Sequence, residues 1–209
     1  MVKVSGFNIL EERLPAGSGH LVLVWLKTSQ VQIRLSKPRQ TKLGDFRPPY
    51  NKLPARISIN KDLHPIEFLI TLAHELAHSE NWQLNGKGVK PHGVEWKAAF
   101  REKLIQILDS GVLDTKFEDA IRTCYFKRQR LATAACPRLR RLYDAENDDS
   151  VVIRLDDIPA GSIFKVSSGK SLIKGEKLRT RYKCREIKSH RIYTVHSMTE
   201  IIEFKQPKL

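Results

Sequence analysis

The sequence predicts an α+β fold in which a mainly helical core with a small sheet is followed by a small all-β module. Apolar residues recur at helical spacing through the middle of the chain, and short runs that alternate apolar and polar residues come before them. After residue 150 the chain changes to strand-like runs separated by turn residues. A chain of 209 residues has room for one ordinary domain and one small module.

Two segments before the helical region are predicted to be strands of the small sheet. Residues 31–35 and residues 56–60 both alternate apolar with polar side chains, which is the pattern of a half-buried strand. Residues 37–47, which lie between them, are rich in lysine and arginine and contain one acid and one glycine. We therefore expect a basic hairpin or an exposed loop here.

The helical core begins with the most strongly periodic segment of the chain. Residues 66–82 place apolar side chains at a 3.6-residue period, and residues 62–65 supply an N-cap and an early proline. Residues 85–88 contain two glycines and are predicted to end this helix. Further helices are predicted from residue 92 or 93 to residue 108, over residues 113–125 and over residues 137–145.

The last part of the chain is predicted to be a separate module. Residues 146–150 are acidic and polar, as expected of a linker. The predicted domains are therefore residues 1–145 and residues 150–209. Within the second domain the predicted strands span residues 151–155, 162–166, 178–185 and 191–196.

The charge balance of the chain points to a polyanionic partner. Lysine and arginine number 37 against 23 aspartates and glutamates, which gives a formal charge of +14. An excess of this size favours nucleic acid as the first partner to consider. With 41% hydrophobic and 29% charged residues, the composition excludes a collagen-like or wholly disordered chain.

Cysteine use and apolar run length bear on the cellular compartment. Cys124, Cys136 and Cys184 are widely separated and form no CxxC pair, which predicts reduced thiols and excludes a four-cysteine zinc ribbon. The longest apolar run, residues 21–26, is far shorter than the ~20 residues that a membrane-spanning helix needs. We expect a soluble cytoplasmic protein without a membrane partner.

The clearest chemical signal is an HExxH motif inside the predicted long helix. Residues four apart on a helix point the same way, so His74 and His78 can present two imidazole nitrogens to one metal ion. Glu75 lies one position further on than His74 and can reach a water molecule bound there. Two ligands and a general base in this spacing are typical of zinc hydrolases. The alternative is a pair of structural histidines on an apolar helix.

A catalytic zinc usually has three protein ligands, so a third is needed. The compact extension of the motif is absent, because Asn81 and Leu84 occupy the positions where it has glycine and histidine. His92 is the best candidate, since it follows a glycine-containing turn at the start of the next predicted helix. The main alternative is a surface His92 with Glu95 as ligand, and Glu102 is a further rival.

These motifs resemble the SprT-like (Spartan-like) metalloprotease family. The resemblance is carried by residues 71–78, with the sequence TLAHELAH, and by residues 91–96, with the sequence PHGVEW. Two upstream segments add to it, residues 41–47 and residues 57–60. It covers roughly residues 20–110.

The resemblance implies both a site and a function. By resemblance His74, His78 and His92 would bind Zn²⁺, and Glu75 would be the catalytic glutamate. Eukaryotic members cleave proteins covalently trapped on DNA, so the resemblance implies a role in DNA–protein crosslink repair. The family commonly carries a C-terminal zinc ribbon. Cys184 has no partner cysteines for one, and we expect a metal-free β module that keeps a basic surface.

Two groups of cations are predicted to contact nucleic acid through its phosphates, without sequence specificity. The first group lies beside the predicted cleft, and the second occupies alternate positions of one predicted strand, so that all its members share a face. Tyr182 and Tyr193 are candidates for stacking on unpaired bases. The cations are Arg34, Lys37, Arg39, Lys42 and Arg47 in the first group, and Lys177, Arg179, Arg181, Lys183 and Arg185 in the second.

The sequence therefore predicts a zinc-dependent peptidase that acts on proteins on or near DNA. Glu75 would take a proton from the attacking water and deliver it to the leaving amine. One alternative is a nucleic-acid-binding or regulatory protein without proteolytic activity, in which the metal is structural. Another is a zinc hydrolase of small peptides, for which the basic surface has no role.

Overall fold

The computed structural model describes residues 7–39, 41–88, 90–127, 136–146 and 152–207. The chain folds as two units, Met1–Tyr143 and Asp144–Leu209. Helices and sheets occur together, so the α+β prediction is confirmed. No helix in the described parts of the chain is both long and apolar enough to cross a membrane.

The first unit combines helices with a three-stranded sheet. Helix α6 begins in this unit and ends in the second. In chain order the elements of the first unit are α1 (Phe7–Glu11), α2 (Gly19–Ser29), β1 (Gln32–Ser36), β2 (Gly44–Arg47), β3 (Arg56–Asn60), α3 (Pro65–Asn85), α4 (Val94–Asp109), α5 (Thr115–Ile121), a π-helix (Arg122–Lys127) and α6 (Pro137–Glu146).

The sheet of the first unit has the order β1-β3-β2, with β1 parallel and β2 antiparallel to β3. The strands predicted over residues 31–35 and 56–60 are confirmed as β1 and β3. A basic hairpin or an exposed loop was expected over residues 37–47. The hairpin is wrong, because the only strand in the described part of this segment is β2, which pairs with β3 and not with β1. Strand β3 carries the fully buried Ile57 and Ile59, so burial favours the central position for it and leaves the more exposed β1 and β2 at the edges.

Helix α3 confirms the periodic segment and extends it by one turn. Pro65 occupies the first turn, and Nδ1 of His64 accepts a hydrogen bond from the backbone N–H of Ile66 at 3.2 Å. The helix ends at Gly86, whose φ of 70° is a backbone conformation that favours glycine. Helix α3 packs against α4 and against strands β2 and β3, so it lies at the centre of the unit.

One helix was not predicted, and one predicted helix needs correction. The apolar run at residues 21–26 belongs to α2, which no helical periodicity indicated; Val22, Trp25 and Leu26 bury one face against the core. The helix expected over residues 113–125 is α5, continued from Arg122 by the π-helix. The helix expected over residues 137–145 is confirmed as α6.

The second unit is built on a five-stranded antiparallel sheet with the order β7-β6-β5-β4-β8. Its core contains Leu155, Phe164, Leu172 and Cys184. Its elements are a 3₁₀ turn (Leu155–Asp157), β4 (Ile163–Lys165), β5 (Ser171–Lys177), β6 (Arg181–Glu186), β7 (Ile192–His196) and β8 (Glu203–Lys205).

The strand predicted over residues 178–185 is wrong at its start. The chain turns between Lys177, the last residue of β5, and Arg181, the first of β6, and the N–H of Leu178 donates to the carbonyl of Arg181 at 2.7 Å. Strands β5 and β8 were not expected. In the segment predicted as a strand over residues 151–155, Arg154 makes one isolated bridge, whereas residues 147–151 lie outside the described residues.

The prediction of three reduced cysteines is also wrong. Cys124 and Cys136 form a disulfide, with Cα atoms 6.0 Å apart, and Cys184 is free and buried. The fold of the first unit brings the two half-cystines together across a separation of 12 residues, which their spacing alone did not indicate.

Candidate metal centre

Three histidines from two neighbouring elements meet at one point in the first unit. His74 and His78 lie one turn apart on α3, and His92 reaches them from the turn before α4. One ring nitrogen from each lies within 4.8 Å of the other two, and the Nε2 atoms of His74 and His92 are 3.3 Å apart. Among the described residues no carboxylate joins this group, so neither Glu95 nor Glu102 is part of it.

The turn that carries His92 has an unusual backbone. His92 has a φ of 67°, in the left-handed region that non-glycine residues seldom occupy. The N–H of Gly93 donates to the carbonyl of Lys90 at 2.9 Å, and a Cβ on Gly93 would stand 3.0 Å from that carbonyl oxygen. Glycine therefore allows the tight turn that directs His92 towards α3. Strained conformations of this kind concentrate at functional sites.

The environment keeps the three imidazoles neutral at neutral pH. Burial, followed by the charges of His78 and His92, lowers the pKa of His74 to about 3. Burial and the charge of His92 lower the pKa of His78 to about 4, and burial together with Lys97 also lowers the pKa of His92. Metal ligation requires the neutral imidazole, so at pH 7 each of these groups can bind a metal ion without first losing a proton.

The donor set fits a zinc ion. Three imidazoles with no thiolate or carboxylate are a known ligand set of catalytic zinc sites, which keep a fourth position open. Tetrahedral zinc with Zn–N distances near 2.05 Å would separate its ligand nitrogens by about 3.3–3.4 Å. The 3.3 Å between Nε2 of His74 and Nε2 of His92 agrees with that separation.

Glu75 lies beside the histidines and is held by strand β2. Its side chain is buried and packs against the backbone of Gly44 in β2, and the backbone N–H of Phe46 favours its ionised form. Burial, followed by the negative charge of Asp45, raises the pKa of Glu75 to about 7, against the opposing effects of Phe46, Arg39 and Lys42. A buried carboxyl with a pKa near neutrality is suited to exchange protons at physiological pH.

The comparisons with known proteins identify this region. Residues 17–109 match the model of the SprT-like family, and these residues contain all three histidines and Glu75. Residues 17–109 belong to the SprT-like family. The family is associated with metallopeptidase-type activity, in agreement with the resemblance that the sequence motifs carry. Neither the curated proteins nor the solved structures contain a match to the chain.

Three of the cations predicted to contact nucleic acid converge instead on one carboxylate of the SprT-like domain. Arg39, Lys42 and Arg47 all form ion pairs with Asp45, at 3.3 Å for Lys42 and 3.1 Å for Arg47. Burial raises the pKa of Asp45, but the hydrogen bonds from Arg39, Arg47, Lys42 and Ser58 outweigh it and hold this pKa well below its usual range.

Arg39 also ties the loop before β2 to the central strand of the sheet. Its Nε donates to Oδ1 of Asn60 at 2.8 Å, and Nδ2 of Asn60 donates back to the carbonyls of Arg39 and Lys42. Arg39 therefore has a structural role that the sequence pattern did not indicate. The role of Asp45 was missed as well, although its position as the one acid in a cation-rich segment was a signal for it. Arg34 and Lys37 are exposed and remain candidates for phosphate contacts.

The second group of cations does not form one continuous row. Arg181, Lys183 and Arg185 alternate with buried residues on β6 and are exposed on one face. Lys177 ends β5 and pairs with Asp156 at 2.8 Å, and Arg179 lies in the turn between the strands. The expectation that all five share a strand face is therefore wrong, because the chain reverses direction within the segment.

The two tyrosines predicted to stack on bases have structural contacts. Tyr182 is 6% exposed, and its hydroxyl donates to Oδ1 of Asp156 at 2.6 Å, so its ring is not available to a base. Tyr193 is half-buried, and its hydroxyl accepts a hydrogen bond from Nζ of Lys170 at 3.0 Å. Stacking by Tyr182 is therefore a wrong prediction, and the β6 face offers cations without an exposed aromatic ring.

Proposed function

We propose that the protein is a zinc-dependent metallopeptidase that acts on proteins on or near DNA. The observation that supports the zinc peptidase is the meeting of three neutral imidazoles in one SprT-like domain, with a buried carboxyl, Glu75, on the same helix as two of them. In this proposal His74, His78 and His92 hold Zn²⁺, and Glu75 is the catalytic residue. When bound, zinc would polarise a peptide carbonyl and lower the pKa of a water molecule.

The protein groups then have separate roles in peptide hydrolysis. The carboxylate of Glu75 accepts a proton from the attacking water, and the carboxylic acid so formed donates it to the nitrogen of the leaving amine. The backbone N–H of Phe46 favours the ionised carboxylate that accepts the proton. A pKa near 7 supports this role, because the group can both take up and release a proton at neutral pH.

The second half of the proposal, association with DNA, is supported by charge. The chain has a formal charge of +14, and Arg181, Lys183 and Arg185 are exposed in a row on β6. A row of cations with this spacing suits a phosphate backbone and provides no group positioned to distinguish bases. Lys183 also pairs with Glu176 at 3.1 Å, so binding there would exchange one anionic partner for another.

Metal analysis and a matched pair of glutamate variants test the proposal. The purified protein should contain one zinc per chain and cleave an unfolded protein substrate, with faster cleavage when substrate and enzyme share a DNA. Glu75→Gln should keep the zinc and lose cleavage, because an amide cannot accept the proton. Glu80→Gln is the control, since Glu80 lies on the same helix and pairs with Lys103 at 2.7 Å.

The other candidate functions predict different results. If the protein only binds nucleic acid and its metal is structural, the wild-type protein should cleave nothing. The Glu75→Gln variant should then bind DNA as well as wild type does. A hydrolase of small peptides would cleave short peptides without any effect of DNA or salt. Full cleavage by Glu75→Gln would contradict the assigned role of Glu75.

A further inference from the structure

One indole ring contacts all three histidines of the candidate metal centre. The ring centroid of Trp96 lies 4.7 Å from that of His74, 5.1 Å from that of His78 and 4.4 Å from that of His92. Trp96 is fully buried and stacks on Phe100 at 5.1 Å, one turn further along α4. The three imidazoles therefore share one aromatic neighbour that is itself fixed by packing.

His74 lacks the hydrogen bond that usually orients such a ligand. Metal-binding histidines generally donate the second ring N–H to a carboxylate, a carbonyl or water, and that bond fixes the ring. Nε2 of His74 faces His92, whereas its Nδ1 is buried and has no hydrogen-bond partner among the described residues. Another interaction must therefore hold this ring in its orientation.

The rings of Trp96 and Phe100 contact the imidazole of His74. The imidazole lies edge-on to Trp96, with an interplanar angle of 64°, and edge-on to Phe100, with an interplanar angle of 71° and centroids 5.3 Å apart. Edge-to-face contacts between rings are attractive and directional. Nε1 of Trp96 is also buried without a hydrogen-bond partner in the described parts of the chain, so its contacts here are those of the ring.

We propose that Trp96 is a positioning residue that holds His74, His78 and His92 in their metal-binding arrangement, with Phe100 supporting it from behind. This inference rests on the metal site of the proposed function, and it names the residue that orients the ligands of that site. It predicts that metal affinity depends on the ring at position 96 although Trp96 itself supplies no ligand atom. Loss of an outer group that orients metal ligands typically weakens metal binding by about 10–100-fold.

Zinc affinity of the purified full chain, measured by competition with a chromophoric chelator, tests the inference. Trp96→Leu should weaken zinc binding by about tenfold or more, and Trp96→Phe should recover part of the loss because it keeps an aromatic face. The absorption spectrum of the Co²⁺-loaded protein should change in Trp96→Leu, since displaced imidazoles alter the ligand field. Circular dichroism shows that each variant is folded.

Two phenylalanines provide a matched pair for the same measurement. Phe100 and Phe117 are each 1% exposed in the first unit, but Phe117 contacts the rings of His64 and Tyr143 rather than those of the three histidines. Phe100→Leu should weaken zinc binding, and Phe117→Leu should not. This pair decides the question if Trp96→Leu does not fold.

Several results would overturn the inference. Zinc affinity of folded Trp96→Leu within about twofold of wild type would do so, because outer-group losses are larger. Equal weakening in Phe100→Leu and Phe117→Leu would also do so, since it would reflect general loosening of the core. A wild-type chain that binds no zinc would overturn this inference together with the metal site of the proposed function. Zinc binding that depends on Trp96 in a chain without peptidase activity would support the inference and contradict the proposed function.

Discussion

The backbone of Gly44 lies directly against the side chain of Glu75. A Cβ built on Gly44 would stand 2.9 Å from Cγ of Glu75 and 2.8 Å from Cγ2 of Thr71. Strand β2 can approach α3 this closely only with glycine at position 44. The approach matters because it packs β2 against the side chain of Glu75, and the backbone N–H of Phe46, two residues further along β2, favours the ionised form of that carboxyl group.

Gly44→Ala should lower both stability and activity. The added methyl group cannot fit without moving β2 or Glu75, and overpacking of this kind costs typically about 1–3 kcal/mol in the free energy of unfolding. Peptidase activity should fall more than zinc content, because the histidines are not in the path of the methyl group. Denaturant unfolding, metal analysis and cleavage rates measure the three quantities.

A second variant shows which contact matters. Gly44→Ala combined with Thr71→Ser removes the Thr71 methyl group and should recover part of the stability. Activity should remain low, because the contact with Glu75 persists. Wild-type activity in Gly44→Ala alone would show that the position of β2 is not needed to orient Glu75.

His92→Ala should reduce zinc occupancy well below one per chain, whereas Glu95→Ala should leave it unchanged. His92 contributes one of the three clustered imidazoles, and Glu95 is exposed and outside the cluster. Metal analysis after dialysis against a weak chelator provides the measurement. Unchanged zinc in His92→Ala with loss in Glu95→Ala would reverse the ligand assignment.

Asp45→Asn should destabilise the protein in a pH-dependent manner. The folded protein holds the pKa of Asp45 below that of an unfolded aspartate, near 3.9, so the ionised group adds stability above that pH and loses it as the pH falls. The cost at neutral pH should be about 1.5–3 kcal/mol, the range for hydrogen bonds to a charged group. The difference in unfolding free energy between wild type and variant should begin to shrink below about pH 4 and should continue to shrink as the pH falls towards the lower pKa of the folded protein.

The exposed Asp119 provides the control for this experiment. Asp119→Asn should track wild type at every pH, because Asp119 lies on the outer surface of α5. A constant difference between Asp45→Asn and wild type from neutral pH to well below pH 4 would mean that the charge of Asp45 is not the source of the effect.

Arg181→Ala/Arg185→Ala should weaken DNA binding equally for all sequences and reduce its salt dependence. Each lost phosphate contact should lower the slope of log K against log salt by ~0.9 for duplex and ~0.7 for single strands. Lys177→Ala/Arg179→Ala removes the same charge from residues outside the β6 row and should change the slope less. Equal slopes for the two double variants would mean that the β6 cations do not contact the phosphates of DNA and are only exposed to solvent.

Thiol counting tests the disulfide between Cys124 and Cys136. Under denaturing conditions without reductant the chain should show one reactive thiol, that of Cys184, and after reduction three. Replacing both half-cystines with serine should lower stability by about 3 kcal/mol, as expected for a closed loop of this length. Three reactive thiols before reduction would contradict the disulfide and support the sequence-based expectation that all three cysteines are reduced.

The sequence by itself determined the elements whose evidence is local. Apolar spacing fixed α3, and the four-residue separation of His74 and His78 follows from helix geometry once α3 exists. Alternation identified β1 and β3, and the glycine-containing turn indicated that His92 would return to the same helix. These predictions hold because each depends on residues within a few positions of one another.

Tertiary structure alone decided which surfaces meet across long stretches of chain. The pairing of β2 with β3 brings Phe46 to Glu75 and gathers three cations around Asp45. The turn that separates Lys177 from β6 and the disulfide between Cys124 and Cys136 likewise depend on the packing of each unit. Strand order is determined by the burial of apolar surfaces from segments that lie far apart in sequence. Local periodicity shows that a segment has such a surface but does not determine which other surface it will pack against.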